Sequence, residues 1–295
     1  MKKVLVIVGP TASGKTSFGI ECAKAFNGEI ISGDSIQVYR GLDIGSAKAT
    51  AEEREMARHH LIDILDPTEN YSVKEFQDMG RELIDKLSEE GKLPIVVGGT
   101  GLYIKALLYD YTFFDEEEED DPYDELSNEE IYKILEEEDP EALENIHVNN
   151  RKRLVRALNI LRKHHEGISE IKDKQKHEML YDAKVIGLTL DREELYRRLE
   201  DRVEKMVADG LVDEIDNLLG NGVSFDDQSM QAIGYKEFRG YFSGNRTVAD
   251  CVEDIKKNTR RFAKRQYTWF NNQMPISWHT DTDEALREIK EWINT

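Results

Sequence analysis

Residues 9 to 16 read Gly-Pro-Thr-Ala-Ser-Gly-Lys-Thr, the G-x-x-x-x-G-K-[ST] spacing that cradles phosphate groups. Glycines let the backbone approach an anion, the N–H groups of the loop and of the helix after it point at that anion, and Lys15 adds a mobile positive charge. Thr16 is placed to put a hydroxyl on a phosphate-bound Mg²⁺. All eight residues, Gly9, Pro10, Thr11, Ala12, Ser13, Gly14, Lys15 and Thr16, are expected to wrap a di- or triphosphate. A carboxylate follows in Glu29-Ile-Ile-Ser-Gly-Asp34-Ser35, at the end of an apolar run. Asp34 could coordinate a metal, take a proton or cap the next segment.

A third group of residues could bind a polyanion. Net charge is -20, but residues 115 to 144 hold 17 acids against the single base Lys133, so the acid is local. Residues 151 to 165 contain no acid and carry Arg151, Lys152, Arg153, Arg156, Arg162 and Lys163. Residues 256 to 265 likewise carry Lys256, Lys257, Arg260, Arg261, Lys264 and Arg265. Local fields, not net charge, decide what binds. Both stretches have helical spacing: Leu154, Leu158 and Leu161 form one stripe, and Ile255, Thr259, Phe262 and Gln266 form another, opposite Lys257, Arg261, Lys264 and Arg265.

The elements that must hold these residues follow from short apolar runs at Val4–Val8, Glu29–Ser32, Ile95–Val97 and Val185–Leu190, separated by amphipathic stretches such as Val73–Leu87. This β-α alternation predicts a P-loop kinase-like α/β fold, a parallel sheet flanked by helices, interrupted by a mainly helical insertion. The body is expected over residues 1–112 and 182–295 and the insertion over 113–181. The acidic run Asp115–Asp121 and the polar stretch Ser169–Glu178 mark its borders. Gly98-Gly-Thr-Gly101 after Ile95–Val97 is another strand-glycine-helix passage, which a tight turn explains equally well. His59-His60 has no companion ligands, which argues for packing or hydrogen bonding over a metal site.

Two cysteines, Cys22 and Cys251, suit packing in a reducing compartment. No apolar run approaches the roughly 18 residues that span a bilayer, and Met1-Lys-Lys is followed by only five apolar residues, too few for a secretory leader. A cytoplasmic protein without membrane contact is expected, and a monomer.

In order along nearly the whole chain, the sequence resembles the tRNA dimethylallyltransferases, also called tRNA isopentenyltransferases. The resemblance rests on Gly9–Thr16, on Asp34-Ser-Ile-Gln-Val-Tyr-Arg-Gly-Leu-Asp-Ile-Gly-Ser-Ala-Lys48 and on His60-Leu-Ile-Asp63. It continues in Gly98-Gly-Thr-Gly-Leu-Tyr103, Arg153-Leu-Val-Arg-Ala-Leu158, Gln231-Ala-Ile-Gly-Tyr-Lys236 and Thr259-Arg-Arg-Phe-Ala-Lys-Arg-Gln266.

The resemblance implies transfer of a dimethylallyl group from dimethylallyl diphosphate to N6 of the adenosine 3′ of the anticodon in tRNA, with diphosphate as leaving group. Gly9 to Thr16 would hold the diphosphate with Mg²⁺, the metal on Thr16 and Asp34. Lys15 and Thr16 would act on the leaving group and Asp34 would be the base at N6. The anticodon stem-loop would meet Asp34, Ser35, Ile36, Gln37 and Thr100, then Lys152, Arg153, Leu154, Val155 and Arg156, and finally Arg261, Lys264, Arg265 and Gln266. Two departures stand out. Some members carry arginine at the position of Gln231, so its charge must be missing here or come from elsewhere, with Arg192 one candidate. The insertion is also shorter and more acidic than the family pattern, which places residues 115 to 144 away from RNA. The competing readings are a small-molecule kinase using ATP on the same loop and a nucleotide-gated RNA-binding protein.

Overall fold

Val4 to Val8 are completely buried, and they fill strand β1 (Lys3–Val8) at the centre of a six-stranded sheet. A strand covered by helices on both faces has no polar side, which is why the run shows no alternation. β1 pairs in parallel with β4 (Leu93–Val97) and β5 (Asp182–Leu188). β2 (Gly28–Ser32) joins β4, β3 (His59–His60) joins β2 and β6 (Ser277–His279) joins β5, again in parallel, for the order β3-β2-β4-β1-β5-β6. The computed structural model describes residues 1–111, 113, 122–164 and 178–295. The acidic run Asp115–Asp121 and the polar stretch 169–177 lie outside the described residues.

Successive side chains of a strand point to opposite faces. Accordingly Val4, Val6 and Val8 enter one core with Val96 and Ile104, while Leu5 and Ile7 enter another with Phe18 and Ile289. The helices of these layers are α1 (Lys15–Ala25), α2 (Ala51–Met56), α3 (Val73–Glu89) and α4 (Gly101–Leu108), then, after the insertion, α7 (Arg192–Ala208), α8 (Leu211–Gly220), α9 (Arg239–Phe242), α10 (Val248–Gln273) and α11 (Thr282–Ile293). No helix among the described residues is long and apolar enough to cross a membrane.

The helix starts differ in a way that matters. At α3 the Ser72 hydroxyl accepts the Glu75 N–H while Glu75 reaches back to Ser72, and Thr247 and Asp250 do the same for α10. α1 has no such closure. It starts after Gly14, whose φ of 90° is a left-handed conformation that suits glycine, with no side-chain cap and no acid in its first turn. Its first N–H groups are left for an anion.

The chain divides into two compact units, Met1–Tyr109 with Met179–Thr295, and Asp110–Glu178. In the second, α5 (Asn128–Glu138) and α6 (Arg151–His164) close over Ile131, Leu135, Leu154, Val155, Leu158 and Leu161. The leucine stripe read from the sequence is therefore this unit's core. Arg151 donates to the carbonyls of Leu126 and Tyr123, and Arg162 pairs with Glu138.

Candidate active site

Ligands of open parallel sheets bind beyond the carboxyl ends of the strands, and a cavity of about 480 Å³ lies there in the first unit. The loop after β1 brings Thr11, Lys15 and Thr16, the segment after β2 brings Asp34 to Gln37, and the turn after β4 brings Gly98 to Thr100. Helix α10 contributes Ile255, Thr259, Phe262 and Gln266, the four residues whose spacing put them on one side, together with Arg265.

Lys15 Nζ donates to the Pro10 carbonyl at 2.7 Å, which holds the ammonium over its own loop. Desolvation and then the nearby Arg202 charge lower its pKa from 10.5 to about 7, against an opposing pull from Asp34. Arg202, from α7, also lines the cavity, and burial lowers its pKa too, with Asp34 again opposing. An arginine remains charged at any working pH, and Arg202 forms no hydrogen bond or ion pair among the described residues. Arg192, the sequence candidate for the missing family charge, lies instead at the start of α7 with its guanidinium 5.2 Å from the Tyr196 ring, away from the cavity lining. The signal for Arg202 was in its register: it falls three residues after Leu199 and four before Met206, both core-facing.

Asp34 Oδ1 accepts the N–H of Ile36 at 2.8 Å and of Gln37 at 3.4 Å, which is the capping role open to an aspartate at this position. Its other oxygen is left for chemistry. Gln37 is fixed by Ser32 Oγ at 3.2 Å and by its own bond to the Ala47 carbonyl at 3.3 Å.

The wall formed by Gly45, Ser46 and Ala47 rests on two anchors that sequence reasoning missed. Buried Lys48 donates to the Tyr39 carbonyl, Asp43 and Asp63 at 2.7, 2.6 and 2.5 Å. Burial would raise the Asp63 pKa, but bonds from Lys48 and Arg54 hold it below the ordinary value. Glu214 of α8 accepts the backbone N–H groups of Asp43, Ile44 and Gly45 and the Tyr235 hydroxyl.

The donor set suits a metal carried in by phosphate. Mg²⁺ is commonly held by one or two protein oxygens, substrate phosphates and water, and Thr16 and Asp34 both face the cavity. Ser13 Oγ in the same loop is buried with no partner among the described residues, as expected of a cradle built for oxygens. The two histidines are occupied separately: His60 Nε2 meets Glu29 at 2.6 Å and His59 Nδ1 meets the Ala57 carbonyl at 2.8 Å. No group of three or more His, Cys, Asp or Glu among the described residues could hold a metal.

The residues expected at RNA fall into four sets, of which Asp34 to Gln37 with Thr100 line the cavity. Arg261, Lys264 and Arg265 are exposed along α10, whereas Lys256 and Arg260 of the same run are paired with Glu204 and Glu200 of α7. Lys152, Arg153 and Arg156 are exposed on α6, and Leu154 and Val155 lie inside the second unit's core. Gln266 is buried, its amide bonded at both ends to the backbone.

The family model described as "IPP transferase" matches residues 37–273. A tRNA dimethylallyltransferase of Anoxybacillus flavithermus is 48% identical over 290 residues, covering 97% of this chain and 93% of its own length. The one from Bacillus cytotoxicus is 50% identical over 300 residues, covering 99% and 95%. Among solved structures, the Staphylococcus epidermidis tRNA delta(2)-isopentenylpyrophosphate transferase superposes with a TM-score of 0.75 at 43% identity, over 100% of this chain and 99% of that one. A eukaryotic dimethylallyltransferase acting on tRNA superposes at 0.84 with 32% identity, over 96% and 75%.

Proposed function

The chain belongs to the IPP transferase family, and on that premise we propose that it transfers a dimethylallyl group from dimethylallyl diphosphate to N6 of the adenosine 3′ of the anticodon in tRNA. The observation that carries this is the cavity's polarity: Lys15 and Arg202 face it together with Asp34, the cations suited to a leaving diphosphate and the carboxylate to a proton.

The N6 lone pair forms the new bond to the allylic carbon as the bond from that carbon to the diphosphate oxygen breaks. The diphosphate leaves with the electron pair, and negative charge grows on it where the open N–H groups of α1, Lys15 and Arg202 converge. N6 becomes positive and gives one proton to the uncommitted oxygen of Asp34. That oxygen cannot bind metal and take the proton at once, so the protein contact to Mg²⁺ is assigned to Thr16. Mg²⁺, when bound, neutralises part of the leaving-group charge.

The base must leave its stack to reach this site, at a cost of a few kcal/mol that backbone contacts offset. Arg261, Lys264 and Arg265 supply such contacts from α10, and Lys152, Arg153 and Arg156 from α6. A tRNA substrate puts the reaction in the cytoplasm, and one chain carries every group invoked, so a monomer suffices.

The test is direct. Given Mg²⁺, dimethylallyl diphosphate and unmodified tRNA with that adenosine, the purified protein is expected to add one five-carbon unit per tRNA and release diphosphate without ATP, read by mass spectrometry of the digested tRNA. Unmodified tRNA beside ATP-dependent phosphorylation of a small metabolite would favour the kinase instead.

A further inference from the structure

The cations of the cavity stand beside an apolar wall. Arg202, Val203 and Met206 line it together from α7. Residues four apart on a helix are surface neighbours, with about 5 to 6 Å between their Cβ atoms, so Met206 follows Arg202 by one turn on the same face. Ile255 and Phe262 join them from α10, which is tied to α7 by the Lys256–Glu204 and Arg260–Glu200 pairs. Val203, Met206 and Ile255 are 2%, 8% and 1% exposed and share one buried cluster with Val252 and Phe238. Close packing behind these three side chains leaves them little room to retreat.

A carbon chain tethered to the diphosphate can turn to three sides of the cavity. On the first, Ile30 and Val97 belong to the core layer under α1, whose open N–H groups the diphosphate itself covers. On the second, Asp34 and Ile36 face the base that receives the chain. The third is the wall of α7 and α10, apolar and next to Arg202. We propose that Met206, with Val203 and Ile255 beside it, sets the length of the donor: the wall receives one five-carbon unit and stops a second. A dimethylallyl chain reaches about one helical turn, roughly 5 Å, and so ends at Met206, whereas the second unit of a ten-carbon allylic diphosphate has to displace that side chain. The proposal rests on the functional reading above and adds to it the residue that selects the donor.

The experiment compares dimethylallyl diphosphate with geranyl diphosphate as donors to unmodified tRNA, with Mg²⁺, and reads five-carbon and ten-carbon additions by mass spectrometry. The unaltered protein is expected to favour the shorter donor in kcat/KM by about a hundredfold or more, since the second unit finds no space. Met206→Ala opens the end of the wall and should raise the ratio of geranyl to dimethylallyl kcat/KM by about tenfold or more, while KM for dimethylallyl diphosphate rises. Val203→Ala, a smaller deletion that disturbs the fold less, should shift the ratio the same way by a smaller factor. Ile255→Phe fills the wall instead and should weaken dimethylallyl diphosphate. Inorganic diphosphate has no carbon chain, so its dissociation constant should be the same in all four proteins, which a loss of folding would not allow. An unaltered protein that uses geranyl diphosphate as well as the shorter donor would overturn the proposal and leave the functional reading intact. So would Met206→Ala and Val203→Ala proteins that bind inorganic diphosphate normally and keep the original ratio. An unaltered protein that transfers neither chain would remove the functional reading, and the length selection with it.

Discussion

Asp34 Oδ1 takes the backbone N–H of Ile36 at 2.8 Å, so the carboxylate both shapes the segment that follows it and keeps one oxygen for the substrate. The two duties can be separated. In Asp34→Asn the amide oxygen accepts the same N–H and preserves the turn, but the side chain cannot take a proton from N6. This substitution is expected to leave stem-loop and diphosphate binding nearly unchanged and to lower single-turnover rates by about 10² to 10⁴. Full activity in that variant would remove Asp34 as the base.

Lys15 gives opposite pH signatures in binding and in folding. Its pKa is about 7 in the folded protein against an ordinary 10.5. The charged form suits diphosphate, so the contribution of Lys15 to affinity is expected to be full below pH 7 and to fade as pH rises above it. For folding the sign reverses: between about 7 and about 10.5 the unfolded chain binds more protons, so this group makes stability rise with pH. Lys15→Met should abolish both slopes, and it also reports the ligand's own titration as a reference. Equal pH profiles for diphosphate affinity in the two proteins would show that Lys15 does not meet the ligand.

Arg202 and Lys15 share a field, and removing one charge is felt by the other. Arg202→Gln is expected to weaken diphosphate binding by about tenfold or more, the scale of a missing charge-assisted hydrogen bond. It should also move the Lys15 midpoint upward, because Arg202 is one of the causes that lower it. Arg192→Ala should do neither, since that guanidinium rests on Tyr196. A titration of binding in all three proteins decides the point, and an Arg192 effect larger than that of Arg202 would contradict this placement.

What could be read from the sequence was periodic or spaced. The run Val4–Val8 followed by the glycine loop gave β1, the loop and α1 in order, and the 3.6-residue pattern of α10 gave the cavity-facing set Ile255, Thr259, Phe262 and Gln266. β3 and β6 escaped because two and three residues show no period; they are strands only by pairing with β2 and β5. Arg202, Lys48 and Glu214 escaped for a related reason. Glu214 works through the N–H groups of residues 43 to 45 and Lys48 through Tyr39, Asp43 and Asp63, while Arg202 acts by its charge on a cavity lined from several segments; all of these neighbours are fixed by the fold. The basic run 256–265 shows the limit from the other side, since composition could not separate Arg260, paired to Glu200, from exposed Arg261.

That distinction can be measured through salt. Removing one cation that neutralises a phosphate should flatten the plot of log affinity against log salt by about 0.7 to 0.9. Arg261→Ala, Arg265→Ala and Lys152→Ala are each expected to weaken tRNA binding and reduce the slope by that amount. Arg260→Ala and Lys256→Ala should leave the slope nearly unchanged, because each cation is already committed to a carboxylate of α7. Equal slope changes in both groups would mean that the pairs with Glu200 and Glu204 open when RNA binds.

The last test concerns the cavity wall rather than its charges. Glu214 accepts three consecutive backbone N–H groups, at 2.9 Å from Asp43, 2.7 Å from Ile44 and 3.2 Å from Gly45, and the Tyr235 hydroxyl at 2.7 Å. Tyr235 in turn accepts the Ser46 N–H at 3.2 Å, so one carboxylate fixes the loop that presents Gly45, Ser46 and Ala47 to the cavity. Glu214→Ala strands those donors, and a donor left without a partner costs about 1 to 3 kcal/mol. Water will reach part of the loop, so a total loss of about 2 to 4 kcal/mol in urea unfolding is expected. Glu214→Gln keeps one acceptor but turns an amide N–H₂ toward backbone donors, and should fall between the two. Activity should drop with stability in both variants, mainly through a raised KM as the wall loosens. A Glu214→Ala protein of unchanged stability would mean that Lys48 alone holds the loop.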